Sequence, residues 1–348
     1  MSKVPMTMAF SRSARLRPLL DGEVEIEGVD LIPCVISPGD LFWRQLRHQE
    51  FDLSELSLAS LLVLKDAGIA PYSAIPAFPS RAFFHVNTIV HEDSGIESPE
   101  DLRGKRVGVA EYQQTAAVWA RGAFEHEFGV RPSEIEWYMG RSARRSHAKS
   151  TGFRPPDDVT LHTLSEGKTL GAMLLDREID AIVAYSPRHG GLGLGQEDDE
   201  HAGQRADSYV DKDDLDPMSS PTVRWLFPDA RAEGFRYHQS TGIFPFNHIV
   251  ALRDSLIEQY PWLARNVFDA FERARALATR RLSMQLEPYE VLGAVNIETV
   301  LDVDRKMAYG VTANLPTINA ALQYSSEQGL IGSQLTHEDV FAPSVNAL

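Results

Sequence analysis

The chain alternates short apolar stretches with longer amphipathic ones. Apolar runs typical of buried strands occur at 4–10, 31–36, 51–58, 106–110, 136–139, 159–163, 178–184 and 249–252. Segments between several of these runs repeat apolar residues every three or four positions, which indicates helices. Residues 23–27 alternate apolar and charged side chains, which predicts one further, half-exposed strand. The alternation of strands and helices predicts an α/β fold.

The clearest strand–turn–helix unit lies within residues 105–130. An apolar run ends at Ala110, a polar turn follows, and from Thr115 apolar side chains recur with helical spacing as far as Gly129. Capping of the first turn is the simplest role for the Thr115 hydroxyl. That turn contains no acidic side chain, so its free N–H groups and the helix dipole also predict a site for a carboxylate or phosphate.

Three other stretches carry candidate chemistry. Glu55 and Ser57 end a predicted strand, and open α/β sheets bind ligands at the carboxyl ends of their strands. Arg81 and His85 follow a Pro-Ser turn, where backbone hydrogen bonding is the simplest role for either. His248 follows a Phe-Pro-Phe segment, whose proline excludes a regular central strand and therefore predicts a crossover.

This order of elements predicts two lobes joined by two crossovers, with a ligand-binding cleft between them. The first lobe comprises residues 1–91 and 245–348, and the second comprises 92–244. The C-terminal part is helical, and its predicted breaks are at Pro288, Gly293, Gly310 and Pro316, with a tail from residue 335. Residues 141–158 and 190–216 are predicted to be exposed loops, and the acidic second loop lacks the spacing of a calcium-binding EF-hand.

Composition excludes several classes of function. The net charge of −15 argues against a nucleic-acid partner, because phosphate binding requires a basic face. The single cysteine, Cys34, excludes internal disulfides and multi-cysteine metal sites. No apolar stretch is long enough for a signal peptide or a membrane span, so we expect a cytoplasmic protein without a membrane partner.

Five stretches together carry a family resemblance. They read FDLSELSLA, AFPSRAF, GKRVGVAEYQQTAAVWARGAFEHEFGV, EIDAIV and TGIFPFNH, and the similarity extends from about Val4 to Ala276. In combination they resemble the 4,5-dihydroxyphthalate decarboxylase family. The resemblance implies a two-lobed fold like that of type II periplasmic binding proteins. It also implies non-oxidative loss of CO2 from a hydroxylated aromatic dicarboxylate, giving protocatechuate without an organic cofactor.

The residue types suggest roles in such a reaction. His85 or His248 is the candidate proton donor, because histidine transfers protons near neutral pH. Glu55 would accept a hydrogen bond from a phenolic hydroxyl of the substrate. Arg81 and the helix start at Thr115 would hold a carboxylate. The remaining candidates for contact with the substrate in the cleft are Ser57, Tyr112, Arg121 and Phe244.

Several alternatives remain open from the sequence. Glu55, His85 and His248 could together bind a divalent metal, although no metal-binding spacing supports this. The chain could instead be a non-catalytic binding protein or sensor for a small aromatic or other carboxylate, because a fold does not determine a function. A related enzyme acting on a different carboxylate and a homo-oligomeric state are also possible.

Overall fold

Two β-sheets organise the chain. The computed structural model describes residues 3–142, 146–165, 167–184 and 217–348. The first sheet has the strand order β2-β1-β3-β11-β4, in which β11 is antiparallel to both of its neighbours. Its strands are β1 (Val4–Phe10), β2 (Val29–Val35), β3 (Leu53–Ser57), β4 (Tyr72–Ile75) and β11 (His248–Arg253). β1 pairs in parallel with β2 and β3, as the order of strands and helices in the sequence predicts.

The second sheet has the order β10-β5-β9-β6-β7-β8. Its strands are β5 (Thr88–His91), β6 (Arg106–Val109), β7 (Glu136–Met139), β8 (Leu161–Thr163), β9 (Ala181–Val183) and β10 (Val223–Trp225). β5 pairs with β9 and β10, so residues 88–91 belong to this sheet and not to the first lobe. The first crossover therefore lies before residue 88, earlier in the chain than the predicted boundary between residues 91 and 92. The prediction relied on the polar segment that follows residue 91, whereas the pairing of β5 places residues 88–91 in the second sheet.

Helices cover both sheets. They are α1 (Arg17–Leu20), α2 (Pro38–His48), α3 (Leu58–Asp66), α4 (Thr115–Phe128), α5 (Ala148–Thr151), α6 (Leu170–Leu175), α7 (Ala230–Thr241), α8 (Asp254–Gln259), α9 (Leu263–Val291), α10 (Ile297–Lys306), α11 (Val311–Glu327) and α12 (His337–Val340). α4 and α11 approach closely at Gly122, where a Cβ atom would lie 2.1 Å from the Tyr324 ring. None of the described helices is long and apolar enough to cross a membrane.

The two crossovers bond to each other. The Asn247 amide donates to the Ser80 carbonyl (2.9 Å), and the Ala82 amide donates to the Pro245 carbonyl (3.2 Å). The rings of Phe78 and Phe246 stack with their centroids 4.1 Å apart. The predicted crossover at residues 244–246 is therefore confirmed, and aromatic packing holds the two connections side by side.

Some local predictions are wrong because tertiary packing overrides the pattern. Residues 23–27 form no strand, although Val24 and Ile26 are buried in the hydrophobic core and the charged residues between and beside them are exposed. Pro288 and Pro316 lie inside α9 and α11 and do not end them. The breaks at Gly293 and Gly310 are confirmed: Gly293 follows the end of α9, Gly310 immediately precedes α11, and both have positive φ.

The C-terminal segment and the acidic loop have different outcomes. The predicted tail is not detached, because the Ala342 amide donates to the Ala74 carbonyl of β4 (2.9 Å) and Val345 is fully buried. The predicted loop at 190–216 lies outside the described residues.

Candidate active site

Polar side chains gather at one edge of the first sheet. Ser11 follows β1, Glu55 and Ser57 lie at the end of β3, and His248 begins β11. Because β11 runs antiparallel to β3, its first residue pairs with Ser57, the last residue of that strand. This end of the sheet lies against the second lobe, where Ser57 Oγ is 2.9 Å from Thr115 Oγ1, and is therefore the position of the predicted cleft.

Glu55 and His248 form a buried carboxylate–imidazole pair. The Nδ1 atom of His248 lies 2.5 Å from Glu55 Oε1. Glu55 Oε2 accepts from the Ser11 hydroxyl (2.6 Å) and amide (3.1 Å). Burial raises the pKa of Glu55, but the charge of His248 and the hydrogen bonds from His248 and Ser11 outweigh burial, so the net pKa is lowered. Glu55 is thus held as a carboxylate that keeps a proton on Nδ1 of His248.

The other nitrogen of His248 meets the neighbouring amide. Nε2 lies 2.9 Å from Asn247 Nδ2, while Asn247 Oδ1 is buried with no partner among the described residues. The ring of Phe42 stands edge-on to the imidazole, with centroids 4.8 Å apart. Neutral Nε2 accepts from the amide nitrogen, and a protonated Nε2 can donate to the amide oxygen once the amide rotates. Asn247 can therefore accompany His248 through both protonation states.

Thr115 connects the two lobes. Its Oγ1 accepts from the Ala59 amide in the first turn of α3 (3.0 Å) and lies 2.9 Å from Ser57 Oγ. The predicted cap of its own helix is wrong, because Gln114 occupies the N-cap position and the Thr115 hydroxyl bonds to the other lobe. The starts of α3 and α4 consequently face each other, so two positive helix ends converge in the cleft.

A second buried histidine lies on the other side of the cleft. His147 Nε2 is 2.7 Å from Arg141 Nη1, and its Nδ1 is 3.2 Å from Ser60 Oγ in α3. Burial, followed by the charges of Arg141 and His248, lowers the pKa of His147 well below 6.5. The ring of Phe42 contacts both imidazoles, with its centroid 6.2 Å from that of His147 and 4.8 Å from that of His248, so the two histidines share an aromatic neighbour.

Glu111 supports this second histidine. It accepts from the His147 amide (3.2 Å) and the Ser146 hydroxyl (3.0 Å), and Arg141 lies 3.7 Å away. Burial raises the pKa of Glu111. The charge of Arg141 and the two hydrogen bonds lower it, but they offset burial only in part, so the net pKa is raised. Ser146, His147 and Thr151 are buried, so the predicted exposed loop at 141–158 is wrong at these positions.

Arg81 and Phe244 lie in the crossovers. Arg81 donates to the carbonyls of Phe244 (2.9 Å) and Ala308 (3.3 Å) and also to Asn314 Oδ1. Its guanidinium lies over the Phe78, Phe244 and Phe246 rings. Burial lowers the pKa of Arg81 to about 10. Both terminal nitrogens of the guanidinium therefore donate to oxygens of the protein, so Arg81 is poorly placed to bind a substrate carboxylate as the sequence suggested.

Tyr112 and Arg121 contact each other inside the second lobe. Arg121 donates to the Tyr112 carbonyl (2.8 Å) and to Gln328 Oε1 (2.8 Å), and its guanidinium lies 3.8 Å from the centre of the Tyr112 ring. Tyr112 also stacks on Phe153. Each of the two side chains is only 1% exposed, so their contacts are those of core residues.

His85 belongs to a separate group. Its Nε2 is 3.0 Å from Glu233 Oε1, and its ring packs against Phe227 and Tyr237. Glu55, His85 and His248 are thus not assembled as one ligand set. Residues 3–142, 146–165, 167–184 and 217–348 contain no group of three or more His, Cys, Asp or Glu residues arranged to hold a metal.

Sequence reasoning missed several members of the site. Ser11 and Glu111 follow strands β1 and β6, so the strand-end rule that selected Glu55 could have identified both. Ser60 and His147 offered no comparable signal, because they meet across 87 residues of sequence. The Ser- and Arg-rich surroundings of His147 are typical of an exposed loop, and only the fold buries it.

Comparison with known proteins decides the family. A 4,5-dihydroxyphthalate decarboxylase of Comamonas testosteroni is 34% identical over 99% of this chain and 98% of its own length. The chain belongs to the 4,5-dihydroxyphthalate decarboxylase family. A second enzyme with that name, from Pseudomonas putida, is 42% identical over 53% of this chain and 71% of its own length. The resemblance inferred from sequence motifs is therefore confirmed.

The fold prediction is confirmed as well. Residues 41–187 match a family described as the periplasmic substrate-binding protein of a phosphonate ABC transporter. The periplasmic aliphatic sulphonate binding protein of Escherichia coli superposes with a TM-score of 0.52 at 12% identity, covering 99% of both chains. At this identity the superposition shows the fold alone, so the functional argument rests on the decarboxylases.

Proposed function

We propose that this protein is a carboxy-lyase that converts 4,5-dihydroxyphthalate to protocatechuate and CO2. The observation that carries the proposal is the similarity to a decarboxylase of that name along 99% of the chain. The buried Glu55–His248 pair at the sheet edge supplies the proton-transfer group that the reaction needs, which a protein that only binds a carboxylate does not require.

The reaction replaces a carboxylate by a proton on the same ring carbon. The bond to the carboxylate breaks, CO2 departs, and a proton from the enzyme forms the new C–H bond. The hydroxyl para to the leaving carboxylate donates electrons to the ring as the proton arrives. The site must therefore provide one acid beside the ring and donors that hold the carboxylates, and it needs no oxidant or reductant.

His248 is the acid in this proposal. Glu55, in contact with Nδ1, stabilises the imidazolium, which leaves Nε2 to deliver the proton. Glu55 itself is 1% exposed, and protein donors already engage both of its oxygens. It therefore acts through His248 and not as the direct acceptor for a phenolic hydroxyl that the sequence suggested.

A substrate carboxylate would bind where the starts of α3 and α4 converge. In this structure the Thr115 hydroxyl accepts from the Ala59 amide and contacts the Ser57 hydroxyl. These hydrogen-bond donors at the start of α3 are therefore bonded within the protein. Ser57, Ser60 and Thr115 are each at most 2% exposed. The lobes must separate to admit the substrate, and its carboxylate would then replace the contact of Thr115 with the α3 amide.

The remaining expectations stay proposals. The chemistry requires no organic cofactor, and whether a divalent metal takes part is a question for the assay. The cytoplasmic location and a homo-oligomeric state predicted from the sequence stay predictions.

The test is CO2 release by the purified protein from 4,5-dihydroxyphthalate, with the product identified by chromatography. The assay is run before and after treatment with EDTA, which separates metal-independent from metal-dependent turnover. Unsubstituted phthalate is the matched ligand, since it has both carboxylates but lacks the para hydroxyl. We expect phthalate to bind and not to react.

His248→Gln is the variant for the proposed acid. His162→Gln is its control, because His162 is on β8, partly exposed, and contacts Glu136. Binding of both ligands without any release of CO2 from the wild-type protein would refute the decarboxylase and leave a binding protein. Turnover of a different hydroxybenzoate alone would retain the reaction and change the substrate.

A further inference from the structure

The hydrogen bonds of His147 determine which of its nitrogens carries a proton. An arginine side chain only donates, so Nε2 of His147 must accept from Arg141 Nη1 at 2.7 Å. A neutral imidazole then carries its proton on Nδ1, where it points at Ser60 Oγ at 3.2 Å. Protonation of Nε2 would place two donors against each other, so this contact selects a single tautomer.

The tautomer of His147 in turn determines what the Ser60 hydroxyl can do. Ser60 Oγ accepts from His147, and it has no other partner among the described residues. Its own proton is therefore free to donate. Ser60 is the third residue of α3, beside the Ala59 amide that Thr115 occupies. The free donor thus lies in the same helical turn as the proposed carboxylate site.

The supports of His147 are independent of that turn. Glu111 binds the His147 amide and lies beside Arg141, and both residues come from the second lobe. Ser60 belongs to the first lobe, so its bond to His147 spans the cleft. The arrangement can form only when the lobes are closed, which is the state that would enclose a substrate.

We propose that His147, held by Arg141 and Glu111, is a positioning residue that fixes the Ser60 hydroxyl as a donor to the substrate carboxylate at the start of α3. This inference rests on the proposed function for the identity of the ligand. It adds a direct contact from Ser60 and a supporting role for a histidine that the proton-transfer step does not use.

The test compares Ser60→Ala, His147→Leu, His147→Asn and the double variant Ser60→Ala/His147→Leu. For each, kcat and KM are measured with 4,5-dihydroxyphthalate, and the Kd is measured by calorimetry with phthalate, which cannot react. Asparagine places an N–H near the position of Nδ1, whereas leucine fills similar volume without a donor. His162→Gln serves as the control, and thermal unfolding verifies that each variant is folded.

We expect Ser60→Ala and His147→Leu each to raise KM and the Kd for phthalate about tenfold, the usual effect of losing a hydrogen bond to a charged group. We expect kcat to change less than about threefold, because His248 is untouched. His147→Asn should recover most of the affinity, and the double variant should be no worse than either single variant.

Multiplicative losses in the double variant, an unchanged Kd in Ser60→Ala, or no recovery with asparagine would each overturn the inference. If His147→Leu does not fold, Ser60→Ala alone still decides whether the hydroxyl contacts the ligand. A wild-type protein that binds phthalate but never releases CO2 contradicts the proposed function and leaves the binding series interpretable. Normal turnover with an unaffected Ser60→Ala contradicts this inference only.

Discussion

Two groups on opposite sides of the cleft use the same residue types in a different order. In the first, Glu55 contacts the His248 imidazole directly, and the pKa of the carboxyl is lowered despite burial. In the second, Arg141 lies between Glu111 and the His147 ring. There burial raises the pKa of Glu111, and burial with the arginine charge lowers the pKa of His147 well below 6.5.

The nitrogen on which a buried histidine holds its proton thus depends on the group that its ring contacts. A carboxylate at Nδ1 holds a proton on that nitrogen, so the far nitrogen is the one that can exchange a proton with a substrate. An arginine at Nε2 excludes the imidazolium and leaves a neutral ring, which can orient a neighbour but not act as an acid near neutral pH. The first group therefore suits proton transfer and the second suits positioning.

The largest effect is expected from removing the acid of the first group. His248→Gln should lower kcat about 100-fold or more, because general acid catalysis contributes roughly 10²–10⁴ in rate. Glu55→Gln should also lower kcat, since the imidazolium loses its counter-charge while Ser11 keeps a hydrogen-bond partner. Steady-state kinetics with 4,5-dihydroxyphthalate measure both. A kcat within threefold of wild type in His248→Gln would remove this residue from the proton-transfer step.

The next effect comes from removing the arginine of the second group. Arg141→Gln withdraws the positive charge beside His147 Nε2, so the pKa of His147 should rise toward 6.5. The affinity for phthalate should fall about tenfold, because the Nδ1 proton is no longer directed at Ser60. Titration of the His147 ring by NMR measures the first result and calorimetry the second. An unshifted titration would show that burial alone keeps this ring neutral.

The neutral state of His147 predicts a pH-dependent stability. A lowered pKa in the folded state means that the unfolded chain takes up the proton first, so stability is lost as pH falls below about 6.5. Between pH 7.5 and 5.5 this group should lower the free energy of unfolding by about 1 kcal/mol. His147→Leu has no imidazole to take up this proton on unfolding. Its free energy of unfolding relative to wild type should therefore rise by the same amount between pH 7.5 and 5.5. Urea unfolding at both pH values measures it, with His162→Gln as the comparison.

The smallest effect concerns another carboxylate–imidazole contact, that of Glu233 with His85, which lies away from the site. Burial raises the pKa of Glu233, but hydrogen bonds from Arg236 and His85 outweigh burial and lower the pKa to about 2. This stabilisation is present above the ordinary pKa of about 4.5 and is lost as pH falls toward about 2. Glu233→Gln should reduce the unfolding free energy at pH 7 by about 1 kcal/mol after allowance for solvent screening. Denaturant unfolding at pH 7 and pH 3 measures the difference, and one that stays the same at both would contradict this origin.

Local patterns in the sequence were sufficient for much of the architecture and part of the site. Apolar runs located β1 and β7 at their observed bounds, and proline placed the crossover at residues 244–246. The strand-end rule selected Glu55, and helix-start chemistry selected Thr115. The strand and crossover predictions succeeded because each depends on residues that are neighbours in the chain, where spacing and turn chemistry constrain the backbone directly. The roles of Glu55 and Thr115 in binding or catalysis stay predictions.

Only the tertiary structure decided which side chains meet. Glu55 and His248, which contact each other, are 193 residues apart in sequence, and Arg121 and Gln328 are 207 residues apart. Arg81, predicted to hold a carboxylate, and Arg121, predicted to contact the substrate, each donate to oxygens of the protein itself. His147 became a member of the site because closure of the lobes buries it against Ser60. Such contacts depend on strand order and lobe packing, which no local period records, and burial then sets the charge that each group carries.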